Sequence, residues 1–151
     1  MTEVDTRASI AAYLAEHSTL ALATIGPDGA PMAASLFFVA DADLRLYWVS
    51  GNSSRHSQNL TRHSRMAVTI HNETWTWTEI AGVQMEGSAR VVPPGPEWQA
   101  AWQLYLGKFP FVSDFQAEVS RSNFYAFTPA WMRLIDNSRG FGHKEEIQVS
   151  G

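Results

Sequence analysis

The stretch Val83-Gln84-Met85-Glu86-Gly87-Ser88-Ala89-Arg90-Val91-Val92 predicts one long β-strand with two unlike faces. One face carries the apolar side chains of Val83, Met85, Ala89 and Val91. The other carries the polar side chains of Gln84, Glu86, Ser88 and Arg90. This alternation is typical of a strand that covers a core on one side only. Gly87 interrupts the pattern and favours a bulge or a bend at that point.

Alternation of the same period continues on both sides of this stretch. It predicts about seven strands, at residues 19–25, 31–39, 44–49, 65–71, 83–92, 123–127 and 130–136. Trp75-Thr76-Trp77-Thr78 shows the same period over four residues. Tight turns such as Gly26-Pro27-Asp28-Gly29 join neighbouring strands. The sequence therefore predicts a mostly antiparallel sheet that closes into a barrel.

About four helices are predicted around this sheet. Asp5 or Thr6 is the expected N-cap of the first, and Ser53 or Ser54 that of a short second helix reaching about Arg62. The third opens near residue 97, and Ser113 begins a capping box for a short fourth. Together these elements predict one α+β domain, mainly β with peripheral helices, over residues 1–151.

The composition limits the chemistry that the chain can support. It has 151 residues, 11 basic and 15 acidic side chains, a formal net charge of −4 and no cysteine. Without thiols it has no disulfides, thiolate metal sites or cysteine nucleophile. The mild negative charge gives nucleic acids and anionic membranes little to bind, so we expect neither as a partner. The acidic N-terminus lacks the apolar segment of a signal peptide, which predicts a cytoplasmic protein.

Motifs of common catalytic sites are incomplete in this sequence. The five histidines lack zinc-site spacing, so no metal is predicted, and the glycines match neither a hydrolase elbow nor a dinucleotide fingerprint. The best remaining candidate is the junction 50–56, where a strand ends in small polar residues and a helix begins. Free N–H groups, serine hydroxyls and Arg55 there favour a phosphate. The triplet Arg-His-Ser occurs at Arg55 and again at Arg62, and we interpret this repeat as coincidence.

The order of these elements resembles the flavin-binding split β-barrels related to pyridoxamine 5′-phosphate oxidase. Three stretches carry the resemblance: 19–31 with its Gly-Pro-Asp-Gly-Ala-Pro turn, 46–59 with the Ser-Arg corner, and 80–90 as the central strand. Residues 108–110 and 133–144 are similar to a small bacterial branch of that group. The similarity covers most of the chain and implies an antiparallel split β-barrel of the FMN-binding type.

The resemblance also implies a homodimer that binds FMN at the interface between its subunits. Ser54 and Arg55 would hold the phosphate, with His56 where the family often has a lysine. The other implied cofactor contacts are Ala34, Ser35 and Leu36 beside the ring, Val49 and Ser50 at its ring or ribityl edge, Gln84 from the partner subunit, and Asn137 near the site.

Two departures from the family pattern argue against pyridoxamine phosphate oxidation itself. Residues 143–146 do not reproduce the Arg-x-His element expected near the C-terminus, and Ala34 stands where that enzyme carries a basic residue. We therefore predict an FMN-dependent oxidoreductase that moves electrons between NAD(P)H or another donor and a small organic substrate. Its catalytic residues are left unassigned.

Two alternatives keep the same fold. In the first, the protein is not an enzyme and stores or senses FMN. In the second, it binds the deazaflavin F420 or haem, as relatives resembling this chain do. A haem would favour His56, His71 or His143 as its axial ligand.

Overall fold

The computed structural model describes residues 1–149, and residues 150 and 151 of the predicted domain lie outside this range. Within it the chain forms four α-helices and one antiparallel sheet of eight strands. The helices are α1 (Glu3–Glu16), α2 (Arg55–Arg62), α3 (Pro96–Lys108) and α4 (Gln116–Ser120). The strands are β1 (Thr19–Ile25), β2 (Pro31–Phe37), β3 (Val39–Ala40), β4 (Leu46–Ser50), β5 (Arg65–His71), β6 (Ala81–Val91), β7 (Asn123–Asp136) and β8 (Lys144–Gln148).

The sheet curls round and closes through one continuous segment of chain. Hydrogen-bonded neighbours follow the order β2-β1-β5-β6-β7-β4-β3, and β8 pairs with the second half of β7. β2 and β3 stand at the two ends of this order but are separated in the chain by Phe38 alone. No ladder of described residues joins β2 to β4, so the barrel is split there. The predicted antiparallel split barrel with peripheral helices is confirmed.

Apolar side chains from neighbouring strands meet inside the barrel. Leu22, Val68, Met85 and Met132 stand opposite one another in register across β1, β5, β6 and β7, and all four are buried. Trp48 is the largest fully buried side chain. The period-two pattern that predicted the strands is therefore the pattern that fills the interior.

Helices cover the ends and one side of the barrel. α3 packs Trp102 and Tyr105 against Phe124 of β7 in a second apolar cluster outside the barrel. At the end of α3, Lys108 donates from Nζ to the carbonyl of Leu14 at 3.1 Å, which ties α3 to the C-terminal end of α1. Burial lowers the pKa of Lys108 to about 8. None of the helices in residues 1–149 combines the length and the apolar character that a bilayer crossing requires.

Helix starts differ from the sequence-based prediction. Thr2 caps α1, not Asp5 or Thr6, and Asp5 instead completes a capping box with Thr2. Ser113 does not cap α4, because it lies in a 3₁₀ helix (Pro110–Phe115) that runs directly into it. The cap of α1 thus lies three residues before Asp5, and α4 begins after Phe115 without any side-chain cap.

Strand ends also differ from the prediction. The alternating Trp75-Thr76-Trp77-Thr78 is not a strand, because Asn72 closes this segment into a loop. Its Nδ2 donates to the carbonyl of Glu79, and its Oδ1 accepts from the backbone N–H of Ala81. Val91 was expected to face the core but is 46% exposed at the end of β6, whereas Val92 packs in the α3 cluster. The two last predicted strands form one continuous strand, β7.

Gly87 allows β7 to remain continuous past Pro129. The register of β6 against β7 shifts between Glu86 and Gly87, so that Ala130 is an extra residue opposite the break. A Cβ atom on Gly87 would lie 2.1 Å from the carbonyl oxygen of Thr128 and 3.0 Å from Pro129 Cα. Both obstacles are backbone atoms, so glycine is required here for close approach.

We predict that Gly87→Ala lowers the free energy of unfolding by about 2–4 kcal/mol, because the backbone must move to admit the methyl group. Chemical denaturation followed by tryptophan fluorescence measures this. Gly107→Ala is the control, since it adds a methyl group to open space on α3 and should change stability by no more than about 1 kcal/mol. Equal stabilities of Gly87→Ala and the natural protein would contradict the close approach.

Candidate cofactor-binding site

The predicted phosphate corner lies where β4 ends and α2 begins. Ser50 is the last residue of β4, and Ser54 caps α2 by accepting a hydrogen bond from the backbone N–H of Ser57 at 3.3 Å. The same hydroxyl lies 3.0 Å from the carbonyl oxygen of Gly51 and 2.7 Å from Ser57 Oγ. The Ser54 side chain is therefore engaged inside the corner and shapes its turn.

His56 lies beneath this corner, not on its surface. It is 8% exposed, and its Nε2 is 2.6 Å from Ser50 Oγ and 3.2 Å from Ser54 Oγ. Burial lowers the pKa of His56 below its ordinary value, so the ring is neutral at pH 7. His56 therefore positions Ser50 and adds no positive charge to the corner.

The outer side of the corner carries groups that can bind an anion. Arg55 is exposed, and its guanidinium makes no ion pair with any residue of the described range. The backbone N–H groups of Arg55 and His56 have no acceptor in residues 1–149. They lie in the first turn of α2, where the helix dipole also favours negative charge. These donors suit a phosphate group.

The open edge of β2 lies beside β4, the strand that leads into this corner. β2 is bonded along one edge to β1 and contacts β4 on its other side without a ladder. Ala34 and Leu36 point towards the interior of the barrel, and Ser35 points outward. Val49 is half-buried beside Ser50 at the end of β4. These strand residues and the corner together border the split in the barrel.

A groove of about 980 Å³ runs along the outer face of β1, β5, β6 and the second half of β7. Its floor consists mainly of small residues: Ala21, Ala23, Ala67, Gly87 and Ala130. Every residue that lines it lies on a strand or directly beside one, and no helix of the described chain covers this face. We call it the outer groove. It is a shallow surface of the sheet that the helices leave uncovered.

Gln84 lines the outer groove, and the oxygen of its side-chain amide already accepts a hydrogen bond. Its Oε1 accepts from Arg133 Nη1 at 3.4 Å, and Arg133 is fixed by an ion pair with Glu146 at 2.7 Å and by the Trp131 ring, 4.9 Å away. The Gln84 NH₂ group finds no acceptor among residues 1–149. It is therefore free to donate to a ligand. Sequence reasoning missed Arg133 and Trp131, because only the register of β7 places Arg133 opposite Gln84, with Trp131 beside the Arg133 guanidinium.

Asn137 ties two loops together at the far end of the barrel. It is 6% exposed, its Nδ2 donates to the carbonyl of Trp77 at 3.0 Å, and its Oδ1 accepts from the N–H of Gly142 at 3.0 Å. Two aromatic side chains on the loops, Trp77 and Phe141, are held exposed with their ring centroids 5.9 Å apart. The hydrogen bonds of Asn137 thus hold an aromatic surface in place.

The predicted site residues therefore fall into separate groups. Eight of them border the split in the barrel: Ala34, Ser35, Leu36, Val49, Ser50, Ser54, Arg55 and His56. Gln84 lies in the outer groove, and Asn137 follows the last residue of β7, whose first residue pairs with Ser50. A 14-residue strand spans roughly 40 Å, so one chain does not bring Asn137 to the corner. No cluster of three or more His, Asp or Glu side chains in the described range is arranged to hold a metal ion.

Solved structures with the same fold include a haem-binding protein and a protein of the pyridoxinephosphate oxidase family. A haem-binding protein from Mycobacterium smegmatis aligns with a TM-score of 0.78 and 18% identity over 98% of this chain and 59% of its own. A Clostridium acetobutylicum protein of the pyridoxinephosphate oxidase family aligns with a TM-score of 0.73 and 10% identity over 98% of this chain and 97% of its own. At these identities the likeness shows the fold alone.

Sequence comparison is more specific. The UPF0306 protein YhbP of Salmonella schwarzengrund is 28% identical over 148 residues, which cover 93% of this chain and 92% of that protein. The sequence profile of the family described as pyridoxamine 5′-phosphate oxidase matches residues 6–136, a span that contains the barrel from β1 to β7, the corner and Gln84. The chain therefore belongs to the pyridoxamine 5′-phosphate oxidase family.

Proposed function

We propose that this protein is an FMN-dependent oxidoreductase that passes electrons from NAD(P)H or another donor to a small organic substrate. The observation that carries the proposal is the corner at residues 50–56, where an unpaired arginine and free N–H groups stand beside the open edge of β2 in a member of this family. FMN supplies the redox chemistry when it is bound. The chain's own residues bind and orient the cofactor and exclude water.

Arg55 binds the phosphate end of the cofactor. Its guanidinium and the N–H groups of Arg55 and His56 donate to the phosphate oxygens, and neutral His56 holds Ser50 at the same corner. Ser54 contributes through the cap that keeps α2 in place. The ring then lies along Ala34, Ser35 and Leu36, whose strand has an edge that no described strand pairs with.

A second copy of the chain completes this site. Gln84 and Asn137 stand apart from the corner in one chain, and the outer groove offers a flat surface of small residues on which another copy can pack. A stable interface buries about 1,200–2,000 Å² in total. In the homodimer, the Gln84 NH₂ group donates to the cofactor that is held at the corner of its partner.

Two other functions would use the same barrel. A protein that stores or senses FMN would need the same binding residues without turnover, so activity with NAD(P)H separates it from an oxidoreductase.

The Mycobacterium smegmatis protein of the same fold is a haem-binding protein. Here His56 Nε2 lies against Ser50 and His143 Nε2 lies 2.9 Å from Glu145 Oε1, which leaves His71 as the more open axial candidate. The deazaflavin F420 would occupy the flavin position.

We predict that Arg55→Ala weakens FMN binding by more than about 1 kcal/mol, because a charge-assisted contact with the phosphate is lost. Quenching of flavin fluorescence on titration with the protein measures the affinity. Arg7→Ala, an equal change of charge on α1, whose main contacts are with β3, β6 and β8, should bind FMN as the natural protein does. Unchanged FMN affinity in a folded Arg55→Ala protein would place the phosphate elsewhere.

We predict that Ala67→Glu converts the homodimer to monomers and weakens FMN binding at least about tenfold, which is about 1.4 kcal/mol. Ala67 lies in the outer groove opposite Glu86, so a new carboxylate there meets like charge and disrupts close packing. Sedimentation velocity measures the oligomeric state. Ala8→Glu, on the exposed side of α1, should remain a dimer, and a dimeric Ala67→Glu protein would show that the groove is not the interface.

A further inference from the structure

A pocket of about 510 Å³ lies between α2 and the β1–β2 turn, on the outward side of the helix. Its lining consists of Pro27, Asp28, Arg55, Gln58, Asn59 and Arg62. We call it the two-arginine pocket. With two guanidinium groups against one carboxylate, it is net positive in a chain whose formal charge is −4.

The repeated Arg-His-Ser triplet places both arginines on one face of α2. Arg55 and Arg62 are seven residues apart, which is close to two helical turns and an axial rise of about 10 Å. The repeat that the sequence analysis set aside as coincidence thus has a structural consequence. A single phosphate contacts one such guanidinium, whereas a longer anion can contact both.

Neither guanidinium is neutralised by the protein. Five of the nine arginines make ion pairs with acidic side chains: Arg45, Arg90, Arg121, Arg133 and Arg139. Arg55 and Arg62 make none within residues 1–149, although Asp28 lines the same pocket. The carboxylate of Asp28 instead accepts from the backbone N–H of Ala30 at 3.0 Å, which holds the turn.

Asn59 adds a buried polar group to the pocket wall. It is 4% exposed, and its amide bonds to Thr24 Oγ1 at 3.0 Å while its Oδ1 has no donor among the described residues. Since the Thr24 hydroxyl can donate or accept, the Asn59 amide can turn either its oxygen or its NH₂ group to a ligand. Because the free end reaches the surface of the pocket, it is available to a ligand there.

We propose that the two-arginine pocket binds a diphosphate-type anion, with Arg55 holding the first phosphate and Arg62 the second. This inference rests on the proposed function for the role of Arg55 and goes beyond it in the ligand, because FMN carries a single phosphate. The diphosphate belongs either to a dinucleotide such as FAD or to free pyrophosphate. The second phosphate is bound by Arg62 and Asn59, and the pocket is large enough to hold it.

Isothermal titration calorimetry at constant ionic strength tests this with inorganic phosphate, pyrophosphate, FMN and FAD as probes. Pyrophosphate should bind the natural protein at least about tenfold more tightly than phosphate. Arg62→Gln should abolish that preference and leave FMN affinity within about threefold, while Arg55→Gln should weaken all the probes. Arg7→Gln is the control, because it removes the same charge from α1, whose main contacts are with β3, β6 and β8.

FAD affinity separates the two sources of the diphosphate. If FAD binds more tightly than FMN and Arg62→Gln removes the difference, the pocket serves a dinucleotide. If the preference is confined to pyrophosphate, it serves the free anion. A natural protein with no preference for pyrophosphate, or an Arg62→Gln protein that keeps it, overturns the inference even where FMN binds. An Arg62-dependent preference for pyrophosphate without FMN binding leaves the inference standing and removes the proposed function.

Discussion

Closure of the sheet by residues 31–40 is the constraint on which the rest of the structure depends. This segment pairs with β1 at one end and with β4 at the other, so the two edges of a seven-membered strand order are tied through a single residue, Phe38. Closure brings the open edge of β2 beside β4, and the chain leaves β4 through the corner at 50–56. As a direct result, the hydrogen-bond donors at the start of α2 lie near the unpaired edge of β2.

The distribution of helices decides which surface is left for a partner. α3 covers the outside of β4 and the first half of β7, whereas the outer groove along β1, β5 and β6 has no helix over it in the described chain. The first residue of β7 pairs with Ser50, where the corner begins, and the last residue of β7 is followed by Asn137. The proposed cofactor site uses both ends and therefore needs two copies of the chain, which would link cofactor binding to dimerisation.

Local pattern predicted the strands and the corner because both depend on residues close together in sequence. Alternation located β1, β2, β4, β5, β6 and β7 but not β8, which lies beyond the last predicted strand, and the Ser-Arg junction located the start of α2. The pattern could not predict that His56 turns inward to Ser50, that Arg133 orients Gln84, or that Asn72 closes the Trp75–Thr78 segment into a loop. The contact between Gln84 and Arg133 spans 49 residues and depends on strand register. The other two join residues six and seven apart through side-chain hydrogen bonds, which an alternating pattern does not encode.

The central claim, that this barrel binds a flavin and passes electrons through it, is tested most directly by visible absorption. The spectrum of the purified protein is recorded with FMN present, after removal of unbound flavin, and again after addition of NADH or NADPH. We predict a protein-bound flavin spectrum that bleaches when the reduced nicotinamide is added. A protein that retains no flavin, or that takes up haemin instead, would contradict the claim.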